Sequence, residues 1–229
     1  MALALGLTIG IGAIAGAASA QHAYVANANS GTVSVIDTAT RAFVGSPIAV
    51  GSSPVSIAVS PNGAYAYVAN ANSDTVSVID TATHSVVGSP ITVGGIPNSI
   101  AVSPDGAYAY VVNAGSDNVS VIDTATRAVV GSPIAVGGIP NSIAISPDGA
   151  YAYVANTGAN TVSVIDTATR AVVGSPIAVG VGPSSIAFAP APPPAPATVP
   201  TLSEWAMILL ALMLAGGAMV VIQQRRSAT

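Results

Sequence analysis

The side chains in this 229-residue chain able to shuttle a proton or bind a cation are few: eight aspartates, one glutamate and two histidines. Four of the aspartates, Asp37, Asp80, Asp123 and Asp166, sit in one phrase, VSVIDTAT, written at 33–40, 76–83, 119–126 and 162–169. Carboxylates at a constant period of 43 residues can serve as acid–base groups, as Ca²⁺ ligands or as turn residues. A Ca²⁺ site takes about six to eight clustered oxygens, and each phrase offers a single carboxylate. Each aspartate instead follows an apolar run and precedes Thr-Ala-Thr, where the chain must reverse. There its oxygen can accept backbone N–H groups two residues on, an Asx-type turn. The phrase therefore reads as structural. His22 stands alone near the start of the body, and His84 replaces the Arg of sibling turns, so it reads as a solvated turn residue without a catalytic partner. No nucleophile–base pair, metal-ligand cluster or phosphate-cradling loop is legible. The expected catalytic, metal and cofactor-binding sets are empty. Repetition points the same way, because identical units multiply every rim side chain whereas catalysis needs one asymmetric arrangement.

Composition narrows the partners. With five arginines, no lysine and a net charge of −4, the chain lacks the cations that nucleic acid or an anionic membrane surface demands. The absence of cysteine excludes disulfides and thiol chemistry.

The elements that position these residues follow from the repeat. One unit reads AYAYVVNAGSDNVSVIDTATRAVVGSPIAVGGIPNSIAISPDG. Four strand signals alternate within it: a, SIAVSP, closed by a Pro-Asp-Gly turn; b, YVAN; c, SVID; and d, SPIAV, whose internal Pro133 suits only an edge strand. A four-stranded unit of 40–45 residues with its edge strand last is a propeller blade. These stretches resemble the YVTN-type β-propeller repeats, relatives of the WD-repeat and lactonase-like propellers, over residues 23–190. The resemblance implies an all-β propeller domain at 21–190.

The body opens with b, c and d at Tyr24, runs through three whole blades, and closes with a lone a strand near 184–190. The expected architecture is four four-stranded blades closed by sharing a blade between the N- and C-terminal segments, pairing Tyr24–Asn27 with Ile186–Phe188. Closure within one chain is favoured by its effective concentration; a blade-sharing dimer with an eight-bladed ring is the alternative. In such a fold the d–a and b–c loops share one face and the a–b and c–d turns the other. The second face carries most of the charge. The first is rich in Asn, Ser and Gly, and Asn70, Asn98, Asn113, Asn141 and Asn156 mark it as a candidate binding face for a glycan or a surface protein; plain turn formation explains the same residues.

Both ends are apolar. Residues 1–20 close on Ala18-Ser19-Ala20, the small-x-small pattern of a cleaved export signal. Residues 191–200 form a Pro/Ala-rich linker, and the polyproline stretch 189–200 that contains it gives a stalk of roughly 35 Å at ~3.1 Å per residue. The tail, 201–229, holds an uncharged span from Trp205 to Ile222, long enough for one transmembrane helix, with Arg225 and Arg226 behind it on the cytoplasmic side. Val199, Pro200, Thr201, Leu202, Ser203, Glu204, Trp205 and Ala206, with the span and the Arg pair, resemble the IPTL-CTERM sorting domain, a relative of the PEP-CTERM signals; Val199 and Ala206 stand where Ile and Gly are usual. The resemblance implies recognition by an exosortase-type membrane protease. The combined expectation is an exported, membrane-anchored and then surface or extracellular protein whose propeller binds or scaffolds without catalysis. A lactonase-like enzyme and a purely structural envelope protein are the competing readings.

Overall fold

Val, Ile, Tyr and Thr dominate the segments between the Asn-, Gly- and Asp-rich turns, and such β-branched and aromatic runs favour extended backbone. The computed structural model describes residues 21–189, all within one compact unit ending at Ala189. Among the described residues nineteen strands build four antiparallel sheets. The first holds β1 (His22–Asn27), β2 (Thr32–Asp37), β3 (Ala42–Phe43) and β4 (Ile48–Ala49). The second holds β5 (Pro54–Val59), β6 (Tyr65–Asn70), β7 (Thr75–Asp80), β8 (Ser85–Val86) and β9 (Ile91–Thr92). The third holds β10 (Pro97–Val102), β11 (Tyr108–Asn113), β12 (Asn118–Asp123), β13 (Ala128–Val129) and β14 (Ile134–Ala135). The fourth holds β15 (Pro140–Ile145), β16 (Tyr151–Asn156), β17 (Thr161–Asp166), β18 (Ala171–Val172) and β19 (Ile177–Ala178).

The second, third and fourth sheets are four-stranded in substance, and the first, without a leading strand among the described residues, is three-stranded. The two short outer pieces of each, such as β13 and β14, both pair with the same third strand, β12. Between them lie Gly131, at φ 70°, and Pro133, which has no N–H to give a ladder. The break falls on the outer edge, where no further strand is denied a bond.

Strand alternation gives every sheet two apolar faces. Tyr67, Ala69, Val76, Val78 and Ile91 leave one side of the second sheet and meet Ile100, Ala109, Val111 and Ile122 of the third. Tyr110, Val112, Val119, Val121 and Ile134 meet Ile143, Ala152, Val154 and Ile165 in the same way. Val33, Val35 and Ile48 of the first sheet meet Ala66, Val68 and Ile79 of the second. Each fully buried Val or Ile contributes about 1.5–3 kcal/mol relative to exposure. The core is thus three copies of one interface.

The expected closure is not made. Among the described residues β1 pairs with β2 alone, and 183–189 form no strand, so Tyr24–Asn27 and Ile186–Phe188 do not share a sheet. The last segment runs along the fourth sheet instead. Asn141 Nδ2 donates to the Ser184 carbonyl at 3.2 Å, Thr157 Oγ1 to the Pro183 carbonyl at 2.6 Å, and the Phe188 ring meets Tyr153 at 5.2 Å. Packing on the fourth sheet holds this segment, and hydrogen bonding to the first does not. The described residues hold no helix long and apolar enough to cross a membrane. The expected signal (1–20), linker (191–200), tail (201–229) and helix (205–222) lie outside them.

Candidate functional site

The c–d turns place the four phrase aspartates. Asp37 Oδ1 accepts from the backbone N–H of Ala39 at 2.8 Å and of Thr40 at 2.9 Å. Asp80 takes Ala82 N and Thr83 N, Asp123 takes Thr126 N at 2.8 Å, and Asp166 takes Thr169 N at 2.8 Å. These backbone bonds, with those from the threonine hydroxyls, hold the four carboxyls below the usual aspartate range. In the a–b turns Asp105 and Asp148 do related work. Their Oδ1 atoms take Ser103 Oγ and Ser146 Oγ at 2.5 Å, and the hydroxyls depress both carboxyls, backbone bonds adding to the effect.

The two kinds of turn meet at one end of the sheets and enclose a cavity at each junction. Between the third and fourth sheets Tyr108 and Tyr110 form one wall, Asp148, Gly149 and Thr167 the other, around about 280 Å³. The junction of second and third sheets repeats this with Tyr65, Tyr67, Asp105, Gly106 and Thr124 around about 480 Å³. At the first junction His22 and Tyr24 take the tyrosine positions, beside Pro61, Gly63 and Thr81, around about 530 Å³. Burial raises the phenols Tyr24, Tyr67 and Tyr110 above their ordinary value. Tyr67 Oη is buried without a partner, whereas Tyr110 Oη donates to the Thr167 carbonyl at 3.4 Å.

At two of the junctions an arginine from the following sheet packs on a tyrosine of the wall. Arg127 lies 4.8 Å from the ring centroid of Tyr65, and Arg170 lies 4.4 Å from that of Tyr108. At the first junction the pair is His84 and His22, with ring centroids 4.9 Å apart and edge to face. His84 is therefore not a solitary turn residue. It occupies the arginine position and packs on His22 and Tyr24. Among the described residues no group of three or more His, Asp or Glu side chains is placed to hold a metal ion.

The opposite end carries the amides. Asn70, Asn113 and Asn156 are fully buried, which corrects their place on a binding face. Each points between strands, where its Nδ2 donates to Ser77, Ser120 or Ser163 Oγ at 2.9–3.0 Å. Glycines make room for them: a Cβ on Gly51, Gly94 or Gly137 would stand 2.6–2.7 Å from these side chains. Asn98 and Asn141 are half-exposed and fill β-bulges at the start of β10 and β15, without cross-strand partners. Asn98 Nδ2 donates to Asn141 Oδ1, tying neighbouring inner strands together. Ile96 and Ile139 are 54% and 59% exposed at this end, each at positive φ, with their N–H groups held by Asp74 and Asp117 of the preceding sheet. The signal missed in the sequence was the junction cavity: its two walls lie in successive repeats, 43 residues apart.

Over residues 21–189, an all-β fold of repeated four-stranded sheets, with equivalent cavities at successive junctions, is the class of molecule these observations define. The IPTL-CTERM motif matches residues 197–226. The expected sorting residues, Val199 to Ala206 with Arg225 and Arg226, fall inside that match and outside the described residues. A solved chain of Kuenenia stuttgartiensis hydrazine synthase is 35% identical, with a TM-score of 0.61 over 66% of this chain and 44% of its own. A functionally unknown protein from Desulfotomaculum acetoxidans DSM 771 shares the fold at 16% identity, with a TM-score of 0.54 over 67% of this chain and 56% of its own. The present chain thus spans about half the length of these solved relatives. No curated protein sequence matches it. The sorting motif points to an exported or cell-envelope protein.

Proposed function

We propose that the chain is a propeller-type repeat protein of the YVTN kind, carried to the cell envelope by its C-terminal motif, where it binds a hydroxyl-rich partner such as a glycan without turning it over. The observation that carries this reading is the row of junction cavities. Each sets an aromatic wall against a threonine hydroxyl, and two add an aspartate with one committed and one uncommitted oxygen. Such oxygens accept sugar hydroxyls, and the partly apolar lining beside them suits the C–H face of a sugar. Two of the three cavities contain no imidazole, which favours recognition over acid–base turnover. Repetition favours multivalent attachment, because linked weak sites gain by effective concentration.

A glycan array and an envelope-extract pull-down with the full chain test the binding claim. Saturable retention with unchanged ligand supports it, and consumption of any retained ligand, or of a lactone panel, overturns it. The sorting claim adds a membrane-anchored precursor and an exosortase-type protease as partner. Mass spectrometry of envelope and medium fractions is expected to find the C-terminus short of Thr229. An intact tail in every fraction would remove that part.

A further inference from the structure

We infer that the two open ends of the sheet array form an interface between two copies of this chain, each supplying what the other lacks. Every internal junction is built from two faces, and each face exists once more at an end, where no other described sheet covers it. On the fourth sheet Ile177 is 49% exposed, while its equivalents Ile48, Ile91 and Ile134 are 7–8% exposed beneath the following sheet. On the first sheet Val25 is 42% exposed, while Val68, Val111 and Val154 are fully buried against the preceding one. The end faces are therefore the two halves of the apolar sheet-to-sheet interface that recurs three times inside the molecule.

Polar partners are missing in the same complementary way. Tyr151 stands where Tyr65 and Tyr108 receive an arginine, and it is 39% exposed; Arg41 stands where Arg127 and Arg170 give one, and it lies exposed. The asparagine ladder behaves alike. Asn98 reaches Asn141, and Asn141 reaches Ser184, so the segment from Gly182 to Phe188 already lies in the register of a first strand. Gly182 N donates to Asn160 Oδ1 at 2.8 Å, as Ile139 N does to Asp117 Oδ1 at 2.7 Å. Among the described residues this segment has no second strand beside it, and β1 is a second strand without a first.

The occupant is a second copy because the described residues do not bring the array's own ends together, while each end presents the face that the other lacks. Another copy supplies that complement with a surface already matched, residue for residue. The contact is head-to-tail at both ends and closes a two-copy ring.

The chain has no cysteine, so an introduced pair reports contact without background. By the register that opposes Ser142 to Ala155 and Ser99 to Val112, Ser185 of one copy faces Ala26 of the other. Full chains carrying S185C or A26C are purified separately in detergent, mixed and oxidised. The expected result is a covalent dimer from the mixture and from the double variant. An internally linked monomer from the double variant, with none from the mixture, overturns the inference in favour of self-closure. No link in either, with the full chain sedimenting as a monomer, also overturns it. Arg41→Ala is expected to raise the dimer dissociation constant by about 2- to 5-fold while leaving the fold's own junctions intact.

Discussion

The Arg127 guanidinium sits 4.8 Å above the Tyr65 ring, so a turn of the third sheet grips the second strand of the sheet before it. Arg170 repeats this on Tyr108, and His84 on His22 replaces it at the first junction. A half-buried cation–π pair is worth about 0.5–2 kcal/mol. Arg127→Ala is expected to lower unfolding free energy by about 1 kcal/mol in denaturant titration. The double change His22→Tyr with His84→Arg installs the repeat's own pair at the first junction and is expected to raise it. Neither single change should match the double one, and an additive cycle would refute the pairing.

Gly137 and Gly138 are neighbours in one loop with opposite surroundings. A Cβ on Gly137 would stand 2.7 Å from the buried Asn156 side chain, whereas one on Gly138 meets nothing within 4 Å. Gly137→Ala is expected to cost about 1–3 kcal/mol through overpacking. Gly138→Ala is expected to be neutral or slightly stabilising, because it restricts the unfolded chain. Thermal melts of the two variants check the difference, and equal losses would refute the buried position assigned to Asn156.

Six turn carboxyls are depressed by the bonds they accept: Asp37, Asp80, Asp105, Asp123, Asp148 and Asp166. A folded-state pKa below the unfolded one gives stability that is present above the unfolded value, about 3.9, and is lost as pH falls through the folded values. The melting temperature is expected to be flat between about pH 5 and 7 and to fall below about pH 4. Asp123→Asn, which keeps an acceptor but cannot ionise, is expected to flatten part of that fall.

Asp148 offers the cavity between the third and fourth sheets its uncommitted oxygen, while Oδ1 holds Ser146 and Ala150. Asp148→Asn preserves the turn acceptor and removes the charge. Glycan retention by that cavity is expected to weaken about tenfold, the scale of one charge-assisted hydrogen bond. Surface plasmon resonance on an array hit, beside a melt showing an unchanged fold, separates recognition from stability.

Much of the fold was legible because its causes are local. The period, the strands and the Asp-centred reversals depend on residues within a few positions of each other, as Asp37 and Thr40 show. The separation of the ends was partly legible too: d–a and b–c loops do meet, through Ile96 N and Asp74. The asparagines were misplaced because Asn70 and Asn98 look equally turn-like in sequence. Whether such a side chain is swallowed or left half-open depends on the glycine opposite it, Gly51 for Asn70, and on the bulge that frees Asn98. His84 was misread for a related reason: its partner His22 lies in the preceding repeat.

From residues alone came a repeating all-β body, its turn chemistry, its scarcity of catalytic groups and a sorting tail whose motif match covers 197–226. These follow from short-range rules of backbone preference and from linear signals read without folding. Only the tertiary structure decided that the cavities lie on the aspartate-rich end, that three asparagines are core, and that β1 and the 182–188 segment stay apart. Those outcomes depend on how far each sheet turns against its neighbour, an angle set by summed side-chain packing across repeats and written in no single one of them.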